Sequence, residues 1–480
     1  MNRNQRRQAT KQQSKVSASE FLRQGGIAFN QGNLTKALNI FAKGVADNPA
    51  DHDLKIALSR ALAHVEFKSF NPAFKALILK CLKERGLNYQ DLSKAWYSIL
   101  LCDPAFKPVQ ALIEDKPYSV AALKNCIKDA YFLEGVSKLM IYDMRFEKAL
   151  VTIAAEASTR AFEKAYASYC EYTESVFLDN PKPSAKIVID SKINSLGLSD
   201  DVVSEKVRGH YEANPYPRWR YIHAQKPLRK ALEDTQTYLV AGCGTGFGLC
   251  STALKYPNRD ITAFDISRTS LAYAKTKSEE LGLKNISFYH ADILNLKDLN
   301  QKFDIIECSG VLHHMDEVSL GWEALLEKLA PEGKMNIGLY SKTARYDINR
   351  ARHLIAKSGL KPVHSDIKKA REMIFDLPED NPARLVLSRH DFYSTSGCRD
   401  LLFHEQEIQI TIPEIEKILR ALNLCFDGFN TLPANIIQKY NTSYPDDPEG
   451  VNLKNWHDFE LKNPDIFKGM YQFWCSRKQA

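Results

Sequence analysis

Apolar residues are spaced in two different ways along this chain. From Ala18 to Phe177 they recur at intervals of three and four, the period of a helix face, as in ASEFLRQGGIAFNQGNLTKALNIFAKGVADNPAD. Beyond Thr237 short apolar runs alternate with longer amphipathic segments. The runs are Tyr238-Leu239-Val240, Ile261–Phe264, Asn285–His290, Phe303–Cys308, Met335–Tyr340, Leu424–Phe429 and Met470–Cys475. Buried parallel strands read this way because both of their faces are covered. Helical segments follow several of them, at Phe247–Leu254, Leu271–Leu281, Leu320–Leu329 and Pro413–Leu422. The pattern predicts an α/β, Rossmann-like sheet of seven strands preceded by an all-α domain.

Polar stretches set the boundaries. Residues 1–15 carry Arg3, Arg6, Arg7, Lys11 and Lys15 with no acid, and read as a disordered basic tail. Residues 16–180 form the helical domain, and 181–205, with their prolines, serines and mixed charge, read as a linker. Residues 206–480 form the sheet domain, interrupted by insertions at about 342–410 and 430–468. The first insertion is basic at its start, with nine Lys/Arg against three acids from Lys342 to Glu372. It also holds the run from His390 to Asp400, followed by His404 and Glu405. In the helical domain Gly25, Ala28, Gly32, Ala37, Phe41 and Pro49 resemble the small, aromatic and terminating positions of a 34-residue tetratricopeptide repeat (TPR). Gly44 stands where that repeat has alanine. On helix propensity alone it loosens the second helix by about 1 kcal/mol.

The chemistry concentrates around Thr237–Ser267. A buried strand enters the turn Gly242-Cys243-Gly244-Thr245-Gly246, a helix follows, and a second strand ends on Asp265. Glycines let backbone amides come close to a ligand where a Cβ would collide. An acid at the second strand's tip can accept from both hydroxyls of a ribose. A dinucleotide site needs Gly-x-Gly-x-x-Gly, and Phe247 stands at its third glycine. That opposes a nicotinamide oxidoreductase. The Gly-x-Gly-x-Gly turn with Asp265 instead resembles the first motif of class I methyltransferases that use S-adenosylmethionine. The resemblance implies a cofactor site made by Gly242, Cys243, Gly244, Gly246, Asp265 and Ile266. It extends the site to Asp292 on the adenine amino group, Ile293 on the ring, and Cys308. That family commonly has an acid two residues before the first glycine, where this chain has Val240, so the methionine ammonium needs other acceptors. Upstream, Tyr211-Glu212-Ala213-Asn214-Pro215-Tyr216-Pro217-Arg218-Trp219 resembles a segment of bacterial proteins that join tetratricopeptide repeats to a methyltransferase domain. Tyr211, Tyr216, Arg218 and Trp219 are candidates for a lid over cofactor or acceptor, or for a packed strap.

His313 and His314 follow the fourth predicted strand. Either is a candidate general base, or a histidine that packs at a helix start. The acceptor is a protein held by the TPR-like domain or a small molecule. Adenine and glutamine methylation is opposed because Glu307-Cys308-Ser309-Gly310 replaces Asn/Asp-Pro-Pro-aromatic. Cys308 lacks the neighbouring proline of a cytosine-methylating nucleophile, and Glu307 with Asp316 lack the pattern that holds an arginine. No metal is expected, since these histidines and cysteines lack ligand spacing. A non-catalytic, S-adenosylmethionine-binding scaffold is the alternative.

Composition narrows the classes further. Over 480 residues the chain is 44% apolar and 26% charged, which suits two or three globular domains. The net charge of +7 permits nucleic-acid contact without favouring it. No apolar run approaches the ~18 residues of a membrane span, and the N-terminus has no apolar signal core. Ten cysteines without a Cys-x-x-Cys pair suggest reduced thiols and a cytoplasmic protein.

Overall fold

A computed structural model describes residues 16–174, 193–224, 227, 229–404 and 406–478. The basic tail 1–15, Glu405 and residues 181–192 of the expected linker lie outside the described residues. The chain divides into two compact units, Met1–Tyr169 with Tyr221–Lys226, and Cys170–Arg220 with Pro227–Ala480.

The first unit is helical. Its first three helices are Ala18–Asn30, Leu34–Asp47 and His52–Leu62. Each starts on a side-chain cap, from Ser17, Asn33 and Asp51 respectively, which satisfies an otherwise orphaned amide. Phe21, Ala37 and Phe41 are buried between them. Gly44 corrects the expectation from propensity. A Cβ there would lie 2.9 Å from Leu54 Cδ2 and 3.0 Å from Phe21, so the glycine makes room for the third helix. Tertiary packing decides that residue. Residues 221–224 also belong to this unit: the Ala224 amide donates to the Gly86 carbonyl at 2.9 Å, and His223 Nε2 donates to Asp91 at 2.8 Å.

The second unit is built on one sheet of eight strands: β1 Asn194–Gly197, β2 Tyr238–Ala241, β3 Ile261–Asp265, β4 Ile286–Ala291, β5 Phe303–Ser309, β6 Leu329–Leu339, β7 Leu424–Phe429 and β8 Tyr471–Arg477. Their order is β1-β4-β3-β2-β5-β6-β8-β7. The first six strands of that order run parallel, while β8 is antiparallel to both β6 and β7. All seven predicted strands are present, and β1 is the addition. It falls inside the expected linker, so residues 193–205 are not a simple connection; Val202–Ala213 is already helical. Strand β1 has no apolar alternation because it is a largely exposed edge held by backbone pairing to β4. Pattern reading had nothing to detect there. Both insertions are largely helical, with Tyr346–Lys357, His364–Phe375 and Thr395–Phe403 in the first and Ala434–Ser443 and Leu453–Lys462 in the second.

The order has a consequence for ligands. The succession of strands switches sides at β2: β3 and β4 are added on one side of it, and β5 and β6 on the other. In an open parallel sheet the crevice at such a switch point, beyond the strands' C-terminal ends, is where ligands bind. No helix among the described residues is long and apolar enough to cross a membrane.

Candidate functional site

The tip of β2 runs into the glycine turn. Gly242, Gly244 and Gly246 have φ of +68°, +53° and +83°, a region that residues with a Cβ enter at a cost. Space is short as well: a Cβ on Gly242 would lie 2.3 Å from Val311, and one on Gly246 would lie 2.7 Å from Ala274. The turn is tied to the tip of β3. Gly242 and Cys243 donate to the Phe264 carbonyl at 2.9 and 3.0 Å, and Gly244 donates to Asp265 Oδ2 at 2.7 Å. Asp265 Oδ1 accepts from the Ser267 amide at 2.9 Å. Each oxygen therefore keeps a lone pair for a further donor. Burial raises the Asp265 pKa to about 6, opposed by hydrogen bonding from the backbone at Ser267, Gly244 and Ile266.

One strand further out, beyond β4, Asp292 is buried and its Oδ1 accepts from the Leu294 amide at 3.0 Å. Its Oδ2 accepts from Ser199, a residue just past the unforeseen β1. Ile266 and Ile293 complete this side, with Ser204 and Val207 of the helix Val202–Ala213 opposite.

Residues 211–219 wrap the glycine turn. The Thr245 hydroxyl donates to the Pro217 carbonyl, and the Trp219 indole donates to the Thr245 carbonyl at 2.9 Å. Glu212 accepts from the amides of Arg268 and Thr269 at 2.7 and 3.1 Å, capping the helix after β3. Tyr211 and Tyr216 line the cavity, whereas Arg218 and Trp219 do not. Arg218 pairs with Glu174 at 3.0 Å, and Trp219 packs edge-on against Phe247. The second pair fastens the segment that the first pair presents.

The cavity enclosed in this way measures about 340 Å³. Beyond β5 it is lined by Ser309, Gly310, Val311, His314 and Met315, and past β6 by Tyr340, with Asp400 and Met470 closing that end. Here the hydrogen bonds determine proton positions. His314 Nδ1 lies 2.8 Å from the Gln406 carbonyl, so it carries the proton and Nε2 presents a lone pair. His404 Nδ1 accepts from the Gln406 amide at 3.1 Å, so its proton sits on Nε2. That N–H donates to the Tyr211 hydroxyl at 3.2 Å, and Tyr211 in turn donates to Asp400 Oδ1 at 3.0 Å. Tyr211 also lies 3.3 Å from His314 Nε2. Burial lowers the His314 pKa to about 4, opposed by its bond to Gln406. Asp400 is raised to about 7, by burial first and then by the charge of Asp391.

Besides Arg218 and Trp219, three predicted site residues sit outside the cavity wall. His313 is fully buried, stacks on Tyr340 at 4.0 Å and has no hydrogen-bond partner on either ring nitrogen. Burial drives its pKa well below the usual histidine range. It is part of the support of Tyr340 rather than of the cavity wall. Cys308 is buried in the hydrophobic core under β5, with its thiol pushed well up by burial, and Gly246 underlies the turn without lining the cavity. Val240, the missing acid, packs in the small core with Tyr238 and Leu249. Conversely, Tyr340, Asp400, Gln406, Ser199 and Glu212 were not singled out from sequence. Asp400 lies in the run that reads as unusual, but nothing in its spacing connects it to His314 or Tyr211.

His210, Asp400 and His404 form a group whose ligand atoms lie within 4.8 Å of one another. As metal ligands they are poorly set up. His404 Nε2 carries its proton, and the buried His210 Nδ1 lacks the hydrogen bond that usually orients a ligating ring. The group is better read as a support for Tyr211, which His404 and Asp400 hydrogen-bond and against which His210 packs edge-on.

A methyltransferase-domain family model matches residues 232–361. An uncharacterized protein of Synechococcus sp. is 29% identical over 265 residues, covering 50% of this chain and 63% of that protein. A ubiquinone biosynthesis O-methyltransferase of Coxiella burnetii is 30% identical over 126 residues, covering 25% of this chain and 53% of the enzyme. Among solved structures, PKMT2 from Rickettsia typhi in complex with AdoHcy gives a TM-score of 0.41 at 18% identity, over 58% of this chain and 53% of that one. The chain thus spans less than two thirds of the length of each of these relatives. Residues 232–361 are thus similar to a methyltransferase domain, and S-adenosylmethionine is the cofactor that such a domain implies.

Proposed function

We propose that this chain transfers a methyl group from S-adenosylmethionine to an acceptor placed over the ends of β5 and β6. One observation carries the reading: a single cavity joins the glycine turn, Asp265 and Asp292 at one end to His314, Tyr340 and Asp400 at the other. The residues present fit the cofactor. A Cβ on Gly244 would come within 3.5 Å of the Tyr216 carbonyl and fill the gap between turn and strap. Asp265 keeps a free lone pair on each oxygen for the ribose hydroxyls, and Asp292 with Ile293 faces the adenine position. Bound there, the cofactor supplies a methyl group made electrophilic by its sulfonium. The protein's part is to orient the acceptor and exclude water, which accounts for much of the rate in such displacements. Tyr211 and Tyr216 do this from the strap, and Met315, Tyr340 and Met470 from the sheet side.

The acceptor is a protein or a small molecule. The TPR-like helical unit is the surface we assign to a protein partner. A cytoplasmic location is supported by ten cysteines, none of which is in a disulfide among the described residues. The second reading, a cofactor-binding scaffold without turnover, rests on Val240. It leaves the buried Tyr211, His314 and Asp400 at the far end without a purpose that offsets their desolvation. Calorimetric titration with S-adenosylmethionine, S-adenosylhomocysteine and NAD tests the site. Binding of the first two without NAD is expected, and the reverse would remove the methyltransferase reading. Transfer of tritiated methyl into a native extract, split into protein, RNA and small-molecule fractions, then tests turnover. Cofactor binding with no labelled fraction would favour the scaffold.

A further inference from the structure

Three carboxylates face the cavity, those of Asp265, Asp292 and Asp400, and no lysine or arginine lines it among the described residues. Asp265 and Asp292 stand beyond β3 and β4. Asp400 is at the other end with His314 and Tyr340, beyond β5 and β6. From β3 to β6 is three strand spacings, about 14 Å, which separates the strand tip that carries Asp265 from the one that leads to Tyr340.

The protons at that end are already committed. Tyr216 gives its hydroxyl proton to Asp391 and His314 gives its Nδ1 proton to the Gln406 carbonyl. Tyr211 receives the His404 N–H and directs its own proton to Asp400. What this wall offers a ligand is therefore lone pairs: those of the tyrosine oxygens, His314 Nε2 and the Asp400 carboxylate. Of its side chains among the described residues, the donors left there are the Tyr340 hydroxyl and the Ser309 hydroxyl, which points at the weakly accepting Met470 sulfur at 3.3 Å. A carboxylate or phosphate acceptor would meet like charge and almost no donor. A group that carries hydrogen meets several acceptors.

We propose that Asp400 takes the proton of the methyl acceptor, an amine or hydroxyl that arrives with hydrogen on its nucleophilic atom. This rests on the proposed methyltransferase reading and names the substrate chemistry of the same site. The acceptor's N–H or O–H bond breaks, its electron pair stays on nitrogen or oxygen, and the proton passes to the Asp400 carboxylate. The new bond from that atom to the methyl carbon replaces the carbon–sulfur bond, whose pair returns to sulfur and leaves a neutral thioether. Tyr211, His404 and His210, whose Nε2 is 4.0 Å from Asp400 Oδ1, are positioning residues. Asp391, Tyr216, Tyr340, Glu407 and Arg352, from the elements packed around it, are the other ionisable groups that bear on Asp400. Of these, Arg352 donates to the Asp400 backbone carbonyl at 3.5 Å and pairs with Glu407 at 2.8 Å.

The test uses the full chain, tritiated S-adenosylmethionine and the extract fraction that wild type labels. Initial rates are followed from pH 5.5 to 9, with S-adenosylhomocysteine affinity measured in parallel by calorimetry. Asp400→Asn is expected to slow labelling about a hundredfold and to abolish the fall in rate on the acid side. S-adenosylhomocysteine affinity should stay within about twofold, and Asp400→Glu should recover part of the rate and the acid limb. Retained rate with an unchanged pH profile in Asp400→Asn would overturn the proposal while leaving methyl transfer standing. So would a parallel loss of rate and S-adenosylhomocysteine affinity. Label released as volatile methanol by mild base marks a methyl ester, hence an acceptor carboxylate with no proton to lose, and would also overturn it. Absence of any labelling by wild type would instead sink the methyltransferase reading, and this proposal with it.

Discussion

At the glycine end of the cavity the main chain does most of the work. Amides of Gly242, Cys243, Gly244 and Ser267 bind groups at the tip of β3, and Asp265 is held by two of them. At the Asp400 end the work is done by side chains from separate elements: Tyr211 from the helix between β1 and β2, His314 beyond β5, and Asp400 and His404 from the first insertion. The first end is one local turn repeated in register with its neighbour strand, and tolerates almost no added volume. The second is a chain of hydrogen bonds in which each member sets the proton of the next. Rigidity comes from steric exclusion in one case and from proton bookkeeping in the other.

Substitutions should separate the two. The largest effect is expected for Gly242→Ala, which adds a Cβ 2.3 Å from Val311 at a positive φ. It should cost about 2–4 kcal/mol of stability and most cofactor affinity, measured by denaturant unfolding and calorimetry. Unchanged stability would mean that the turn is looser than described. Next, Asp265→Ala should weaken S-adenosylmethionine binding at least about tenfold, through loss of two ribose hydrogen bonds worth about 1.5–3 kcal/mol. Unchanged binding would refute the ribose assignment.

Asp265 also predicts a pH dependence. Its folded pKa, about 6, lies above the ordinary carboxylate value, so the native state holds more protons than the unfolded chain between those two values. Stability from this group is fully present at low pH and falls as pH rises towards about 6. Cofactor affinity runs the opposite way, rising as the carboxylate ionises. Asp265→Asn should flatten both slopes. Wild-type affinity that does not vary from pH 5 to 7.5 would contradict it.

Tyr211→Phe addresses the other end. It removes the hydroxyl shared by Asp400, His404 and His314, and should lower transfer about tenfold, as for one lost hydrogen bond to a charged group. Cofactor affinity should barely move. A large loss of cofactor binding would show that the two ends are not separable. The smallest effect is Gly44→Ala, in the helical unit. Propensity predicts a gain of about 1 kcal/mol, while the contacts with Leu54 and Phe21 predict a net loss of about 1–2 kcal/mol. Thermal unfolding decides between them.

The glycine end was largely legible in advance because its logic is local. Gly242, Gly244 and Gly246 are required by the turn's own backbone angles, Asp265 by its place at the next strand tip, and Phe247 by the glycine it replaces. Strands β2 and β3 were legible for a related reason, being buried on both faces and so apolar throughout, and β4 to β8 keep enough buried positions to leave short apolar runs. β1 was not, since an exposed edge strand held by backbone bonds leaves no apolar signature. Cys308 and His313 read as site residues because both stand at the end of β5. There a one-residue step along the chain moves a side chain between cavity and core, and sequence alone does not say which faces which.

From sequence alone, then, came the α/β sheet with its helical partner, the S-adenosylmethionine-type turn and the two tyrosines of the strap. Each depends on periodicity or on a short contiguous motif. Only the tertiary structure brought Asp400 to Tyr211, 189 positions away in sequence, and set both histidine tautomers through the backbone of Gln406. Hydrogen-bond partners so distant along the chain leave no mark on local composition, and a proton's position is fixed only when every neighbour is in place.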